Sequence, residues 1–187
     1  MQIALIINPS SPDAVQALRR GVERLREEGH VVHPRVTFEQ GDAHRFAWKS
    51  AEYGADLVVA CGGDGTINEV VNGLYEWIAD REDTTPDAAL PKLGIVPLGT
   101  GNDLAGGMGI APGDPEGALM DAASGEEYTV DVARVNGRYF IFASGIGLEG
   151  AGARGAAAVV GVVLGVAYIV YWRWVERRLR TLWAASP

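Results

Sequence analysis

Two of the sixteen basic residues are lysines, and 24 acidic residues outweigh them, leaving a formal net charge of −8. A chain so short of positive charge has no basic face to neutralise a phosphate backbone, which excludes general nucleic-acid binding. One cysteine is present, Cys61, so an internal disulfide is impossible and a reducing compartment is compatible. With no histidine close to it in sequence, Cys61 reads as a small buried residue at a strand end rather than a nucleophile. No Walker A lysine follows a glycine-rich loop, which sets aside the ordinary P-loop nucleotidases. Internal repeats and low-complexity linkers are lacking as well. The apolar start MQIALII is short, has no basic flank and runs into Asn8-Pro9, so it reads as a first strand and not as a secretory signal.

What is present suits a folded domain. The 187 residues are 48% hydrophobic and 21% charged, enough for one domain and a fraction with a sizeable core. Strand and helix patterns alternate along the chain. Residues 2–7 form a β-rich run. Ser11 is a good N-cap with Pro12 at the first helical position, and an amphipathic stretch over 13–28 ends at Gly29. VVHPRV (31–36) is a strand near an edge, because Pro34 cannot donate to a ladder. A helix over 42–53, a buried strand over 56–60, a helix from about Thr66 and a strand over 93–98 follow. A surface loop is expected over 80–91. After GTGND come a short helix, another near 115–124, and a hairpin whose Asn136-Gly137 suits a type I′ turn.

This order predicts an α/β three-layer sandwich around a mainly parallel sheet with right-handed crossovers. Open sheets of this kind bind ligands at loops leaving the carboxyl ends of their strands. Four such segments are polar or glycine-rich: NPSSP (8–12), TFEQGDA (37–43), GGDGT (62–66) and GTGND (99–103). In GGDGT, the glycines let backbone approach a ligand closely, successive amides can form an anion nest, and the next helix adds its dipole. Asp64 among them is repulsive to phosphate unless a metal intervenes, which points to a nucleoside triphosphate with Mg²⁺. The local alternative is a helix start, with Thr66 as N-cap and Glu69 as its capping-box partner. LGTGND repeats the design at the next strand end.

GGDGTINEVVNGL followed by LGIVPLGTGNDLA closely resembles the diacylglycerol kinase catalytic domain of bacterial-type lipid kinases and sphingosine kinases. Asn8-Pro9, Thr37 with Gly41-Asp42-Ala43, and VDVARVNGRYFIFASGIGLEG support the resemblance, which covers nearly the whole chain. It implies ATP bound among these loops and phosphoryl transfer to a lipid hydroxyl. Nucleotide contacts then fall on Asn8, Pro9, Ser10, Ser11, Pro12, Thr37, Gly63, Asp64, Gly65, Thr66, Ile67, Asn68, Glu69 and Thr100. Acids coupled to Mg²⁺ through water correspond to Asp64, Asp103 and Asp131. The first loop departs from the family, which usually has Gly or Lys soon after Asn-Pro. Here Ser10-Ser11-Pro12 stands instead, and Pro12 offers no amide. NAD kinases and phosphofructokinases also carry GGDG, but LGTGND favours the lipid-kinase branch.

Residues 1–143 are expected to form the ATP-binding domain, and 144–187 a Gly-rich linker with an apolar helix, the start of a second domain. In the family that β-rich domain carries the base, a metal site and part of the lipid pocket, so this chain reads as the nucleotide-binding half. The alternative is a catalytically inactive nucleotide-binding, membrane-associated module, or one half of a split kinase. Gly145, Gly147 and Gly150 match GxGxxG, but no second strand follows, which argues against a dinucleotide fold. Glu176 reads as an ion-pair partner of Arg173 or Arg180 at helical spacing rather than as a base. The uncharged stretch 155–172 is at the lower limit for a membrane span, and Trp172, Trp174 and Trp183 suit an interface. A lipid substrate, contact with the inner face of the cell membrane from a cytoplasmic position, and a homodimer or second lobe are the partners expected.

Overall fold

The computed structural model describes residues 1–81 and 89–141. The first of two units, Met1–Phe142, holds every described element. In chain order these are β1 (Gln2–Ile7), α1 (Pro12–Glu27), β2 (Val31–Val36), α2 (Asp42–Glu52), β3 (Leu57–Gly62) and α3 (Asp64–Ala79), then β4 (Lys92–Pro97), α4 (Asp103–Gly107), α5 (Pro115–Ser124), β5 (Ala133–Val135) and β6 (Arg138–Phe140). The apolar stretch 155–172, the glycines at 145–150, Glu176 and the middle of the expected loop over 80–91 lie outside the described residues. Among those described, no helix is long and apolar enough to cross a membrane.

β1 and β3 are almost uniformly apolar because both their faces are covered, as in parallel sheets generally. The four-stranded sheet runs β2-β1-β3-β4 with every pairing parallel. The period of two in a strand sends alternate residues to opposite faces. Ile3, Leu5 and Ile7 of β1 and Leu57, Val59 and Cys61 of β3 pack with Leu18, Val22 and Leu25 of α1 and Leu119 of α5. Ala4, Ile6, Val58 and Ala60 point the other way, onto Ala47 of α2 and Ile67, Val70 and Leu74 of α3. Helices therefore cover both faces, giving the three layers expected. β2 is an edge strand, as Pro34 requires.

Local chemistry explains the element ends. Ser11 caps α1, its side chain accepting from the Ala14 amide at 3.2 Å, and Pro12 opens the helix. α2 crosses α3 where Gly73 leaves room for the His44 carbonyl; a Cβ there would collide with that oxygen. The β5–β6 hairpin turns at Asn136 (φ 49°) and Gly137 (φ 82°), the two positive φ values of a type I′ turn. Asn72 fastens this hairpin to α3: its Nδ2 donates to the Tyr139 carbonyl at 2.8 Å, and its Oδ1 accepts from the Tyr139 amide at 2.9 Å. Tyr75 stacks on the Tyr139 ring, centroids 4.7 Å apart.

The chain leaves β1 toward β2 on one side and later enters β3 on the other. Between β1 and β3 lies the switch point, where loops following neighbouring strands diverge and a crevice opens.

Candidate functional site

α3 begins two residues earlier than the sequence suggests. Its N-cap is Gly63, in extended conformation, and no side chain caps the first turn. The expected capping box of Thr66 and Glu69 is therefore absent, because both side chains are committed to other loops. Thr66 Oγ1 accepts from Asn8 Nδ2 at 3.1 Å, and Glu69 Oε2 accepts from the Gly41 amide at 3.1 Å. The first amides of a sixteen-residue helix are thus left without a side-chain partner at the crevice, the arrangement that receives anions.

Further bonds tie the four strand-end loops to one another. The Asn8 amide donates to the Cys61 carbonyl at 2.8 Å, and the Thr37 amide to the Ile7 carbonyl at 2.9 Å. Asp64 accepts from two amides of the fourth loop, Asp103 at Oδ2 and Leu104 at Oδ1, each at 3.2 Å. Asn102 closes that fourth loop on itself: its Oδ1 accepts from the Gly99 amide at 2.9 Å and its Nδ2 donates to the Gly99 carbonyl at 2.6 Å. Its backbone is left-handed, with φ 55°, a conformation asparagine tolerates better than most residues. Gly63 and Gly99 let the third and fourth loops touch, since a Cβ on Gly99 would lie 2.5 Å from the Gly63 Cα.

These loops surround a cavity of about 550 Å³ lined by Asn8, Thr37, Phe38, Glu39, Gln40, Ala43, Gly63, Gly65, Thr66, Glu69 and Gly99. Of the residues expected at a nucleotide, Asn8, Thr37, Gly63, Gly65, Thr66 and Glu69 line it. Asp64 stands beside it as the link to the fourth loop. Pro9, Ser10, Ser11, Pro12 and Thr100 are exposed and are not among its lining. Ile67 is buried in the core, and Asn68 faces along its helix, its carbonyl accepting from Asn72 Nδ2 at 2.8 Å. Phe38, Glu39, Gln40, Ala43 and Gly99 also line the cavity, though none was among the residues expected at the nucleotide. The loop of the first four was legible as a strand-end segment, but nothing in its composition marked those four as cavity lining.

The acids assigned to Mg²⁺ divide. Asp64 and Asp103 converge at Gly101, where a Cβ would lie 3.3 Å from Asp64 Oδ2 and 3.8 Å from Asp103 Oδ1. Asp131 is exposed and lines no part of the cavity. Among the described residues no group of three or more His, Cys, Asp or Glu could hold a metal. Two adjacent carboxylates, one already accepting two amides, suit an ion that keeps most of its own water. Mg²⁺ has that habit, and Zn²⁺ held wholly by side chains does not. Cys61 is fully buried, and burial pushes its thiol pKa up, so it is no nucleophile.

Residues 2–135 match the family model of the diacylglycerol kinase catalytic domain. Lipid kinase YegS of Escherichia coli K12 is 43% identical over 132 residues, covering 71% of this chain and 41% of that protein. A protein of Pectobacterium atrosepticum named "Probable lipid kinase YegS-like" is 41% identical over 140 residues, covering 74% and 44%. The crystal structure of a diacylglycerol kinase from Bacillus anthracis superposes with a TM-score of 0.54 at 29% identity, covering 74% of this chain and 45% of that one. The chain thus spans about two fifths of the length of the curated relatives it matches. With the glycine loops, their mutual ties and the parallel sheet all in the matched segment, this chain belongs to the diacylglycerol kinase catalytic domain family.

Proposed function

We propose that the cavity binds ATP with Mg²⁺ and that the chain is the nucleotide-binding part of a lipid kinase. The reaction is transfer of the γ-phosphoryl group to a lipid hydroxyl, such as that of diacylglycerol or a sphingoid base. One observation carries the reading: the uncapped amino end of α3 opens into a cavity to which all four strand-end loops contribute.

Phosphoryl transfer asks a protein mainly for positioning and charge neutralisation. The amides at the start of α3 receive phosphate oxygens, and the helix dipole favours their charge. Gly65 lines the cavity with no protein atom within 4 Å of where a Cβ would stand, so backbone and ligand can meet there. Thr37 also lines the cavity. Its Oγ1 donates to the Ile7 carbonyl at 3.3 Å, which ties the second loop to β1. When bound, Mg²⁺ supplies charge neutralisation on the phosphates, and Asp64 and Asp103 are the residues that would hold it through water. A lipid acceptor would be met at a bilayer, so the reading includes work at the inner face of the cell membrane from a cytoplasmic position.

Calorimetric titration of the full chain with ATP, with and without Mg²⁺, tests the site. Incubation with labelled ATP and vesicles of diacylglycerol or sphingoid base tests the transfer. Binding followed by lipid phosphorylation is the expected result. Binding without transfer leaves a nucleotide-binding module, or half of a split kinase. Transfer to soluble sugars or NAD alone identifies a different kinase branch. If Mg-ATP does not bind and Asp64→Ala alters nothing, the proposal fails.

A further inference from the structure

Phe38 is the most exposed large hydrophobic residue among those described, at 92%, and it lines the cavity. An aromatic ring so exposed makes almost no contact within the fold, so neither core packing nor sheet formation accounts for it. Its backbone is nonetheless fixed. The Phe38 amide donates to Asp42 Oδ2 at 2.9 Å, and the Glu39 amide donates to the same oxygen at 3.2 Å. Thr37 on one side is pinned to the Ile7 carbonyl, and Gly41 on the other is held by Glu69. Asp42 is buried and also receives Arg45 Nη2 at 2.5 Å. A solvated loop tip needs no such bracing. A platform that must stand still does.

We propose that Phe38 is the stacking platform for the nucleobase, with Glu39 and Gln40 beside it available to the base edge. The inference rests on the nucleotide reading of the cavity and names the end at which the base sits. The cavity lining divides into two chemical groups by loop. Asn8, Gly63, Gly65, Thr66 and Gly99 offer backbone and small polar groups suited to phosphates. Residues 37–40 offer an aromatic face, a carboxylate and an amide. A volume of about 550 Å³ lies within the range of small-molecule sites. A purine is a flat π-system whose burial against an aromatic ring is favourable and tolerant of base identity. Stacking would cover the face of Phe38 that the fold leaves in water.

The test titrates the full chain and its Phe38→Ala and Phe38→Trp variants with Mg-ATP, Mg-GTP and inorganic tripolyphosphate. Loss of the platform should weaken ATP and GTP about tenfold each, the scale of base–aromatic stacking. Tripolyphosphate has no base and should bind wild type and Phe38→Ala equally. Phe38→Trp should hold the nucleotide affinity. Thermal unfolding should be unchanged in both variants. Equal ATP affinity in wild type and Phe38→Ala overturns the proposal. So does an equal loss for tripolyphosphate, or unfolding of the alanine variant, since each assigns the ring a structural task. If the wild type binds tripolyphosphate but not ATP, the base platform fails and the phosphate end stands. If it binds neither, the nucleotide reading fails and the platform with it.

Discussion

Gly65 and Gly99 both line the cavity, yet only one of them can accept a methyl group without moving backbone. At Gly65 a Cβ would meet no protein atom within 4 Å, and the residue sits in the first turn of α3. Alanine there should stabilise the fold by about 0.4–1 kcal/mol through the unfolded chain, raising Tm by roughly 1–4 °C. The same methyl occupies the space through which a phosphate reaches the amides of α3. Losing one charge-assisted amide bond costs about 1.5–3 kcal/mol, so Mg-ATP affinity should fall about tenfold or more. At Gly99 the Cβ would stand 2.5 Å from the Gly63 Cα. Carbon atoms rest about 3.5–4.0 Å apart, so the two loops must part by about 1 Å. Overpacking of that kind costs about 1–3 kcal/mol and also displaces the amide nest. Urea unfolding separates the two variants, and calorimetry with Mg-ATP measures binding. Gly65→Ala should be as stable as wild type or more so, and binding-deficient; Gly99→Ala should lose both properties. If the two variants lose stability alike, or if Gly65→Ala binds Mg-ATP like wild type, the assignment of open space at Gly65 to phosphate is wrong.

Asp64→Ala leaves the Asp103 and Leu104 amides unpaired, which should cost about 1–3 kcal/mol in urea unfolding. Asp64→Asn keeps one acceptor oxygen and should recover part of that stability, while the Mg²⁺ dependence of ATP affinity stays lost in both. Asn72→Leu removes both bonds to the Tyr139 backbone, a cost of about 1–3 kcal/mol; exchange of the Tyr139 amide hydrogen should accelerate. The Asp42 carboxyl is held below its ordinary pKa of 3.8, first by the Phe38 amide and further by the Glu39 amide and Arg45. A lowered folded-state pKa gives stability that is complete above 3.8 and fades as pH falls through the lowered value. Asp42→Asn should therefore unfold more readily than wild type at neutral pH, and the two acid-unfolding curves should converge at the lowest pH. A gap that persists there would mean the carboxylate charge is not what braces residues 38–42.

The layers were legible because their signals are local and periodic. Ser11-Pro12 starts α1, Pro34 marks the edge strand, and Asn136-Gly137 turns the hairpin, each through chemistry confined to a few residues. The start of α3 misled for the complementary reason. Thr66 and Glu69 have the spacing of a capping box, but their partners, Asn8 and Gly41, are 58 and 28 residues away in sequence. A pattern rule sees the spacing and not the distant claim on the side chain. Phe38 was missed because it sits unremarked within the polar segment TFEQGDA, and only the fold shows its ring standing in water.

The same distant ties explain how the first loop can depart from its family. Asn8, Asp64, Thr66 and Glu69 direct polar side-chain atoms at neighbouring loops, and Asn102 closes its own, so the four segments are braced before any ligand arrives. What remains facing the cavity is mostly glycine, backbone amide and the 37–40 segment. Such preorganisation lowers the ordering cost of binding. In this arrangement the first loop contributes Asn8 to the cavity wall, while Ser11 caps α1 and Pro12 opens it. Replacing a glycine or lysine by Ser10-Ser11-Pro12 therefore changes how α1 begins rather than what lines the cavity. The motif's polar residues serve as struts between loops, and the positions that fix ligand contact are those where a side chain is lacking, Gly63 and Gly65, or where one stands exposed without a structural task, Phe38.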